Sequence, residues 1–310
     1  MIVHEPVLLA ECLDMLVPPP DGGLLVDATL GQAGHAEAFL ERWPRLALIG
    51  VDADAAVMET ARARLARFSD RVELVCAWFA EFFASWSRER QPDLVLFDLG
   101  ISRFHYEMSG RGFSFDRDEP LDMRLSRDLP VSAADLVNGS GAEELAGILG
   151  GFGEERHARL IAARIVRERE RAPITTAARL ADVIRGAVPP SYRHGRIHPA
   201  TRSFQALRIA VNRELAQLEE GLAAAFRVLA PGGRVGVISF HSLEDRIVKR
   251  FFRDRARDCT CPPEFPVCRC GGRRELHLVT RKSVQPGDAE RTRNPAARSA
   301  RLRVAEKEAA

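Results

Sequence analysis

The sequence predicts a doubly wound α/β sheet that is interrupted by an all-helical insertion. Short apolar runs alternate with helical spacing over the first 100 residues, and the same alternation resumes after residue 214. Between them, residues 132–212 show helical spacing and no convincing strand. The chain has 310 residues, which is long for one average domain. We therefore expect a discontinuous core, 1–108 with 214–310, and an inserted substrate-recognition domain at 109–213.

The elements of the core can be placed from apolar runs and turn residues. Four buried strands are expected at Leu24–Ala28, Ala47–Val51, Val72–Val75 and Asp93–Phe97. Helical spacing follows the first run through Leu40 and the second through Leu65. A helix is expected at 214–229, followed by a fifth strand at Arg234–Ser239 and a helix at Ser242–Arg253. A closing pair of strands is expected at Glu275–Thr280 and Arg301–Ala305.

Residues 100–130 are rich in glycine, proline and charge, and are expected to form a loop. Within the insertion, the segment from Glu154 to Arg171 places apolar side chains at helical spacing. The predicted buried stripe consists of Leu160, Ile161, Ile165 and Val166. A second predicted set of core residues at helical spacing consists of Phe204, Leu207 and Val211.

Composition excludes several classes of protein. Hydrophobic residues make up 46% and charged residues 28% of the chain, as in ordinary globular proteins. No apolar run approaches the roughly 20 residues that a membrane span needs. The first residues lack a signal-peptide pattern, so we expect a cytoplasmic protein. The net charge of +2 does not by itself identify a nucleic-acid partner.

A glycine-bearing turn after the first strand indicates a nucleotide-type cofactor. The turn runs from Asp27 through Gly31 to Gly34, and Asp52 ends the second strand, where an acid can hold ribose hydroxyls. These features serve a dinucleotide or S-adenosylmethionine. The turn is not Gly-x-Gly-x-x-Gly, Asp27 can face a cationic ligand, and a Pro-Gly-Gly turn precedes the fifth strand. All three points favour S-adenosylmethionine.

Seven long strings of residues, rich in polar side chains, are spread along the chain. They are His4–Leu9, Asp98–Ser102, Gly110–Phe115, Pro120–Arg124, His198–Arg208, Ser239–Arg246 and Asn294–Arg303. On these strings the sequence closely resembles, nearly end to end, the bacterial RsmH (MraW) family of 16S rRNA cytosine-N4 methyltransferases. The resemblance implies a Rossmann-like methyltransferase sheet. It also implies methylation of the N4 amine of a cytidine in 16S rRNA, in the decoding region of the small ribosomal subunit.

The resemblance also implies a set of residues that contact S-adenosylmethionine: Ala33, Gly34, His35, Asp52, Phe79, Asp98 and His105. Two of these positions depart from the family pattern. Ala33 stands where glycine is usual, so its methyl group should tighten the turn slightly. His105 stands where glutamine is usual, and both side chains can donate a hydrogen bond. We therefore expect cofactor binding with somewhat altered contacts.

The chemistry of an exocyclic amine predicts acceptor groups close to the fourth strand. The N4 lone pair is conjugated into the ring, so the amine needs acceptors for its protons and in-line alignment with the methyl donor. Asp98 is the expected acceptor, and His241 is a candidate for proton removal. His198 is a further catalytic candidate. An equally weighted alternative makes His241 a structural cap of the helix that starts at Ser242.

An RNA substrate must expose the target base, which requires stacking and phosphate contacts. The candidate substrate-binding residues are Arg111, Phe113, Phe115, Asp122, Arg202 and Arg208. The insertion also contains a cationic run, and such a run is often only a solvated face. The run consists of Arg193, His194, Arg196, His198, Arg202 and Arg208. The resemblance to an RNA-modifying family favours contact with 16S rRNA or the small ribosomal subunit.

The six cysteines fall into two groups. Cys12 and Cys76 lie in apolar patterns and are expected in the core. The other four form two Cys-x-Cys pairs, at Cys259, Cys261, Cys268 and Cys270. Four thiolates can bind zinc, although the spacing is not that of a Cys-x-x-Cys knuckle. Reduced cysteines without metal are the alternative.

Two further functions stay open from the sequence. A DNA amino-methyltransferase would show Asn/Asp-Pro-Pro-aromatic after the fourth strand, whereas this chain has Asp98-Leu99-Gly100-Ile101. A non-catalytic ribosome-assembly factor that binds S-adenosylmethionine would not need Asp98 or the intact string Phe240–Arg246. Both features favour the enzyme.

Overall fold

The computed structural model describes residues 6–195, 197–259, 261, 265 and 272–309. It divides into two compact units, Met1–Gly100 with Gln217–Ala310 and Ile101–Ala216. The limits predicted for the insertion, 109 and 213, differ slightly from these, and its role in substrate recognition stays a prediction. Among the described residues, no helix is long and apolar enough to cross a membrane.

In chain order, the elements are α1 (Leu9–Met15), β1 (Gly23–Asp27), α2 (Gly34–Arg42), β2 (Leu46–Asp52), α3 (Ala55–Leu65), β3 (Val72–Cys76), α4 (Phe79–Ala84), β4 (Leu94–Asp98), α5 (Arg103–Glu107), α6 (Ala133–Gly139), α7 (Ala142–Gly153), α8 (Ala158–Arg169), α9 (Ala177–Ala187), α10 (Pro190–Arg193), α11 (Thr201–Asn212), α12 (Glu214–Val228), β5 (Arg234–Ser239), α13 (Ser242–Arg255), β6 (Leu276–Leu278), α14 (Asp288–Arg293) and β7 (Arg301–Lys307).

The first unit is built on one seven-stranded sheet of order β3-β2-β1-β4-β5-β7-β6. The first five strands of this order pair in parallel, and β7 runs antiparallel to both β5 and β6. The doubly wound sheet and its closing pair of strands, both predicted from the sequence, are confirmed. Because β1, β2 and β4 are parallel, their terminal residues Asp27, Asp52 and Asp98 lie at the same edge of the sheet.

Apolar side chains cover both faces of the sheet. Along β1, Leu25 belongs to the core on one face, whereas Leu24 and Val26 belong to the core on the other. Cys12 of α1 is fully buried, as predicted. The prediction for Cys76 was wrong, because it ends the edge strand β3 and its side chain is exposed. An edge strand has one strand neighbour only, so an apolar pattern there does not guarantee burial.

The second unit is helical, as the spacing predicted, and has a core of its own. Phe204, Leu207 and Val211 are buried in it, which confirms their predicted role. On α8, Ile161 and Ile165 are buried, but Leu160 is 54% exposed. The predicted stripe was therefore wrong at Leu160, because the buried face of α8 is narrower than the apolar run.

Candidate cofactor and catalytic site

The turn between β1 and α2 is shaped by left-handed backbone and by a hydrogen bond from β2. Gly31 has φ 52° and Ala33 has φ 61°. A left-handed conformation costs a residue with a Cβ about 1–2 kcal/mol, so Ala33 is a strained helix cap where glycine would be relaxed. The Gly31 N–H donates to Oδ2 of Asp52 over 2.8 Å. Asp52 thereby fixes the turn in addition to its predicted contact with ribose.

Gly34 begins α2 beneath the N-terminal segment. A Cβ placed on Gly34 would lie 2.6 Å from Cγ of Pro6, which is closer than carbon atoms can approach. The side chain of His35 is buried, and its Nε2 lies 2.9 Å from the carbonyl oxygen of Val7. Gly34 and His35 therefore hold residues 6–8 against the start of α2.

Asp98 ends β4, and its backbone and its carboxyl group have different surroundings. Its backbone N–H donates to Oγ1 of Thr29 over 2.6 Å, so the fourth strand is tied to the turn after the first. Its Oδ1 is buried and has no hydrogen-bond partner among the residues that the structure describes, although the side chain as a whole is 22% exposed. Burial, and then the carboxylate of Glu244, raise the pKa of Asp98 to about 7.

Asp27 ends β1 and is 2% exposed. Burial raises the pKa of Asp27 to about 7, although the electrostatic effect of His35 and the N–H of Thr29 act in the opposite direction. Asp27 and the buried Oδ1 of Asp98, which has no partner within the described part of the chain, lie at one edge of the sheet and are costly without a counter-charge. A ligand that carries positive charge would supply it.

S-adenosylmethionine fits this requirement, because its sulfonium and ammonium groups are both cationic. Gly31, Gly34, Asp52 and Asp98 would hold it, and it would supply an electrophilic methyl group. Phe79 begins α4 and packs edge-on against Phe97 of β4, with ring centroids 5.3 Å apart. Its predicted contact with the cofactor stays a prediction, as do the other cofactor contacts.

The buried carboxyl of Asp27 predicts an unusual pH dependence of stability. Its ordinary pKa is 3.8 and its folded pKa is about 7, so the folded state holds the proton more tightly than the unfolded state. Stability should therefore fall as the pH rises from about 4 to about 7 and should level off above that. We expect Asp27→Asn, which mimics the protonated form, to remove this loss.

Urea unfolding at about pH 4 and at about pH 8 checks this expectation. Asp27→Asn should gain on the order of a few kcal/mol over the natural protein at the higher pH and little at the lower one. An equal gain at both values would show that packing, and not the proton, causes the effect.

His241 is the N-cap of α13. Its Nδ1 accepts from the Glu244 N–H over 3.4 Å, and Oε2 of Glu244 accepts from the Phe240 N–H over 2.8 Å. Nε2 lies 3.0 Å from Oε1 of Glu244 but makes no hydrogen bond with a described residue. This geometry shows the capping role, and proton removal by His241 stays a prediction.

Glu244 was missed by the sequence reasoning. It is 3% exposed and acts electrostatically on Asp98. The signal was present, since an acid three residues after a helix N-cap is the spacing of a capping box. Its effect on Asp98 depends on tertiary proximity and has no signature along the chain.

In the second unit, three of the predicted residues are buried: His105, Arg111 and Phe113. Nδ1 of His105 lies 3.2 Å from the backbone N of Ser102 and completes a capping box on α5. The Arg111 guanidinium donates to the carbonyl oxygens of Arg124 and Leu125, both over 2.8 Å. Phe113 belongs to the core of this unit. Their predicted contacts with cofactor and RNA stay predictions, and these packing roles are what the structure shows.

Arg208 and Asp122 are engaged in ion pairs. The Nε and Nη2 atoms of Arg208 each lie 2.9 Å from one carboxylate oxygen of Glu214, and the Arg208 side chain is 11% exposed. Asp122 accepts from Nε of Arg124 over 2.6 Å. Although burial opposes it, the Arg124 guanidinium holds the pKa of Asp122 below its usual value. Neither side chain is presented as a free RNA contact here.

Phe115 and His198 form an aromatic pair that solvent can reach. Their rings are stacked with centroids 4.4 Å apart, and His198 is exposed. Partial desolvation, and then the charge of Arg185, lower the pKa of His198, so its ring is neutral at neutral pH. Arg202 is half-buried and donates to the Glu154 carbonyl over 3.3 Å. These two rings are better suited to stacking on a base than to transferring a proton.

The proposed metal ligands are only partly described. Cys259 is exposed and Cys261 is half-buried. Cys268 and Cys270 lie outside the described residues. The zinc site therefore stays a prediction.

Known proteins are similar to this chain over nearly its whole length. The profile of the MraW methylase family matches residues 1–308. A protein named ribosomal RNA small subunit methyltransferase H from Treponema denticola is 54% identical over 98% of this chain and 97% of its own length. A protein of the same name from Geobacter sulfurreducens is 51% identical over 98% of both chains.

Solved structures give a weaker overall likeness. An rRNA methylase from Streptococcus thermophilus aligns over 97% of this chain and 92% of its own, with 10% identity and a TM-score of 0.42. The N-methyltransferase NodS from Bradyrhizobium japonicum aligns over 97% and 92%, with 10% identity and a TM-score of 0.39. The family match over nearly the whole chain and the high identity to its relatives decide the assignment: this chain belongs to the MraW methylase family.

Proposed function

We propose that this protein transfers the methyl group of S-adenosylmethionine to the N4 amine of a cytidine in 16S rRNA of the small ribosomal subunit. Support comes from relatives that match over nearly the full length of both chains and are named ribosomal RNA small subunit methyltransferases. The proposal extends to the decoding region and to the cytoplasm, where small subunits are assembled.

One observation carries the chemistry: Oδ1 of Asp98, at the carboxyl end of β4, has no hydrogen-bond partner among the described residues. An exocyclic amine has two protons and no useful basicity, so it needs an acceptor that is not already engaged. Asp98 offers such an oxygen beside the turn that is expected to hold the methyl donor. As the nitrogen attacks, the carboxylate stabilises the growing positive charge and can take the departing proton.

Residues of the second unit are proposed to contact RNA through two kinds of interaction. The stacked rings of Phe115 and His198 provide an aromatic surface for an unstacked base. Arg202 would contact phosphate, because its guanidinium has only one long hydrogen bond to a carbonyl among the described residues. Arg111 and Arg208 would act indirectly, by fixing the loop and the helix that carry these groups.

The test uses purified protein, labelled S-adenosylmethionine, and small subunits from a strain that lacks its own copy of the enzyme. Digested rRNA is then analysed for labelled nucleosides. We expect label in N4-methylcytidine of 16S rRNA and no label in the 23S rRNA of large subunits treated in the same way. Label in another nucleoside would leave the methyltransferase activity established but would show that N4 of cytidine is not the acceptor atom.

The same experiment separates the alternatives. A DNA amino-methyltransferase would label duplex or single-stranded DNA in preference to subunits. A non-catalytic assembly factor would bind S-adenosylmethionine and subunits but transfer no label to either naked rRNA or assembled subunits.

A further inference from the structure

The ring of His35 is held between a backbone carbonyl and the proposed catalytic carboxylate. Its Nε2 lies 2.9 Å from the carbonyl oxygen of Val7, and its Nδ1 lies 3.5 Å from Oδ2 of Asp98. The imidazole side chain is 6% exposed, so water competes little for either nitrogen. His35 therefore links the N-terminal segment to the fourth strand through its side chain.

The Val7 carbonyl determines which nitrogen carries the hydrogen. A carbonyl oxygen can only accept, so Nε2 must carry a hydrogen in order to bond to it. In a neutral ring, Nδ1 then has no hydrogen, and it lies 3.5 Å from Oδ2 of Asp98. Lone pairs on these two atoms repel each other, whereas a proton on the carboxyl would let the pair close to hydrogen-bond distance.

From this geometry we propose that His35 and Asp98 share one proton in the ligand-free protein, that the proton resides on Asp98, and that a sulfonium ligand displaces it. His35 is thus a positioning residue for Asp98. This inference rests on the proposed function, because it takes S-adenosylmethionine as the ligand. It goes beyond a cofactor contact, because the His35 ring acts on the carboxylate and not on the ligand.

The groups around the pair favour the carboxyl as the site of the proton. Burial lowers the pKa of His35, whereas burial and Glu244 raise that of Asp98. The charges of Asp27 of β1 and Glu290 of α14 raise the pKa of His35 but do not outweigh its burial, and Asp52 of β2 acts on Asp27. Burial, then the charge of Asp98, raises the pKa of the Cys12 thiol, which therefore stays neutral.

The pair has a defined use in methyl transfer. The N4 lone pair forms the new N–C bond, the S–C bond breaks with its electrons left on sulfur, and one N4 proton moves to the Asp98 carboxylate. Protonation of Oδ1 neutralises the carboxylate and so weakens the repulsion between Oδ2 and the Nδ1 lone pair of His35, which is present while Asp98 is ionised. His35 thus stabilises the proton-accepting form selectively, which is what accelerates a step.

Calorimetric titration at about pH 6, in two buffers of different ionisation enthalpy, counts the protons released on ligand binding. S-adenosylmethionine should release close to one proton. Below the pKa of Asp98, its affinity should increase by up to about tenfold for each unit by which the pH is raised. S-adenosylhomocysteine, whose sulfur is neutral, should release close to none. Equal proton release by both ligands would overturn the inference.

Two matched variants assign the proton. Asp98→Asn should abolish the release, whereas Asp27→Asn should retain it. The opposite pattern would place the proton on Asp27 and contradict the proposal. If Asp98→Asn binds neither ligand, nitrogen spectra of ¹⁵N-histidine-labelled natural protein decide, with the His35 signal assigned from a His35→Asn sample.

The spectra should show a neutral His35 ring with hydrogen on Nε2 at about pH 6. An imidazolium, or hydrogen on Nδ1 alone, would overturn the proposal. None of these measurements uses RNA, so binding without proton release leaves the proposed function intact. Proton release without transfer to rRNA would contradict the proposed function and leave this inference standing.

Discussion

Asp98→Asn is expected to lower kcat for methyl transfer to small subunits by about 10²–10⁴-fold. The asparagine keeps the shape of the side chain but cannot take a proton, and its amide can direct a donor at the amine. The burial of Oδ1 and the position of Asp98 at the end of β4 make this side chain the expected acceptor. Single-turnover transfer of labelled methyl groups, with S-adenosylmethionine saturating, measures the step directly.

Asp52→Asn is the matched comparison. Asp52 is also a carboxylate at the end of a strand, but it contacts the backbone of the turn after β1 and not the expected target. Its Oδ2 accepts from the Gly31 N–H, so its loss should raise KM for S-adenosylmethionine and change kcat little. Unfolding curves should show that Asp98→Asn is at least as stable as the natural protein, because a neutral side chain replaces a buried carboxyl. A near-natural kcat for Asp98→Asn would remove the proposed role of this residue.

The sheet was predictable because each strand reads locally in the sequence. Apolar runs that end in Asp27, Asp52 and Asp98 indicate both the strands and the edge at which the acids meet. Burial was less predictable, because it depends on what lies across from a residue. Cys76 and Leu160 both sit in apolar patterns, yet both are exposed, since one ends an edge strand and the other lies on the solvent side of α8.

In the candidate site, too, positions could be predicted from the sequence, whereas contacts between side chains could not. The acids could be named from their positions, but the two contacts of the His35 ring join residues distant in sequence and have no local signal. Arg208 seemed available for RNA because it lies in a cationic run. Arg213 adopts φ 51°, which ends α11 and brings Glu214 to the Arg208 guanidinium, so the pair forms across a helix break that spacing alone did not reveal.

The side chain of Asn212 joins the 100–130 loop to α11, and its removal is expected to have the largest effect on the stability of the second unit. It is 1% exposed. Its Oδ1 accepts from the Leu125 N–H over 2.8 Å, and its Nδ2 donates to the carbonyls of Met123 and Arg208 over 2.8 and 2.9 Å. Asn212→Ala leaves these backbone groups without that partner and creates a cavity, so we expect a loss of about 2–4 kcal/mol in the free energy of unfolding.

Amide hydrogen exchange locates this loss more sharply than a denaturation curve. In Asn212→Ala, the Leu125 amide should lose protection while the Ile174 amide keeps it. Asn138→Ala is the mirror control, because Oδ1 of Asn138 accepts from the Ile174 N–H over 2.9 Å, and that variant should expose Ile174 and spare Leu125. Unchanged protection of Leu125 in Asn212→Ala would mean that other contacts hold the loop. If the expected pattern holds, the asparagine fixes the loop that follows β4, and methyl transfer to subunits should fall along with the order of that loop.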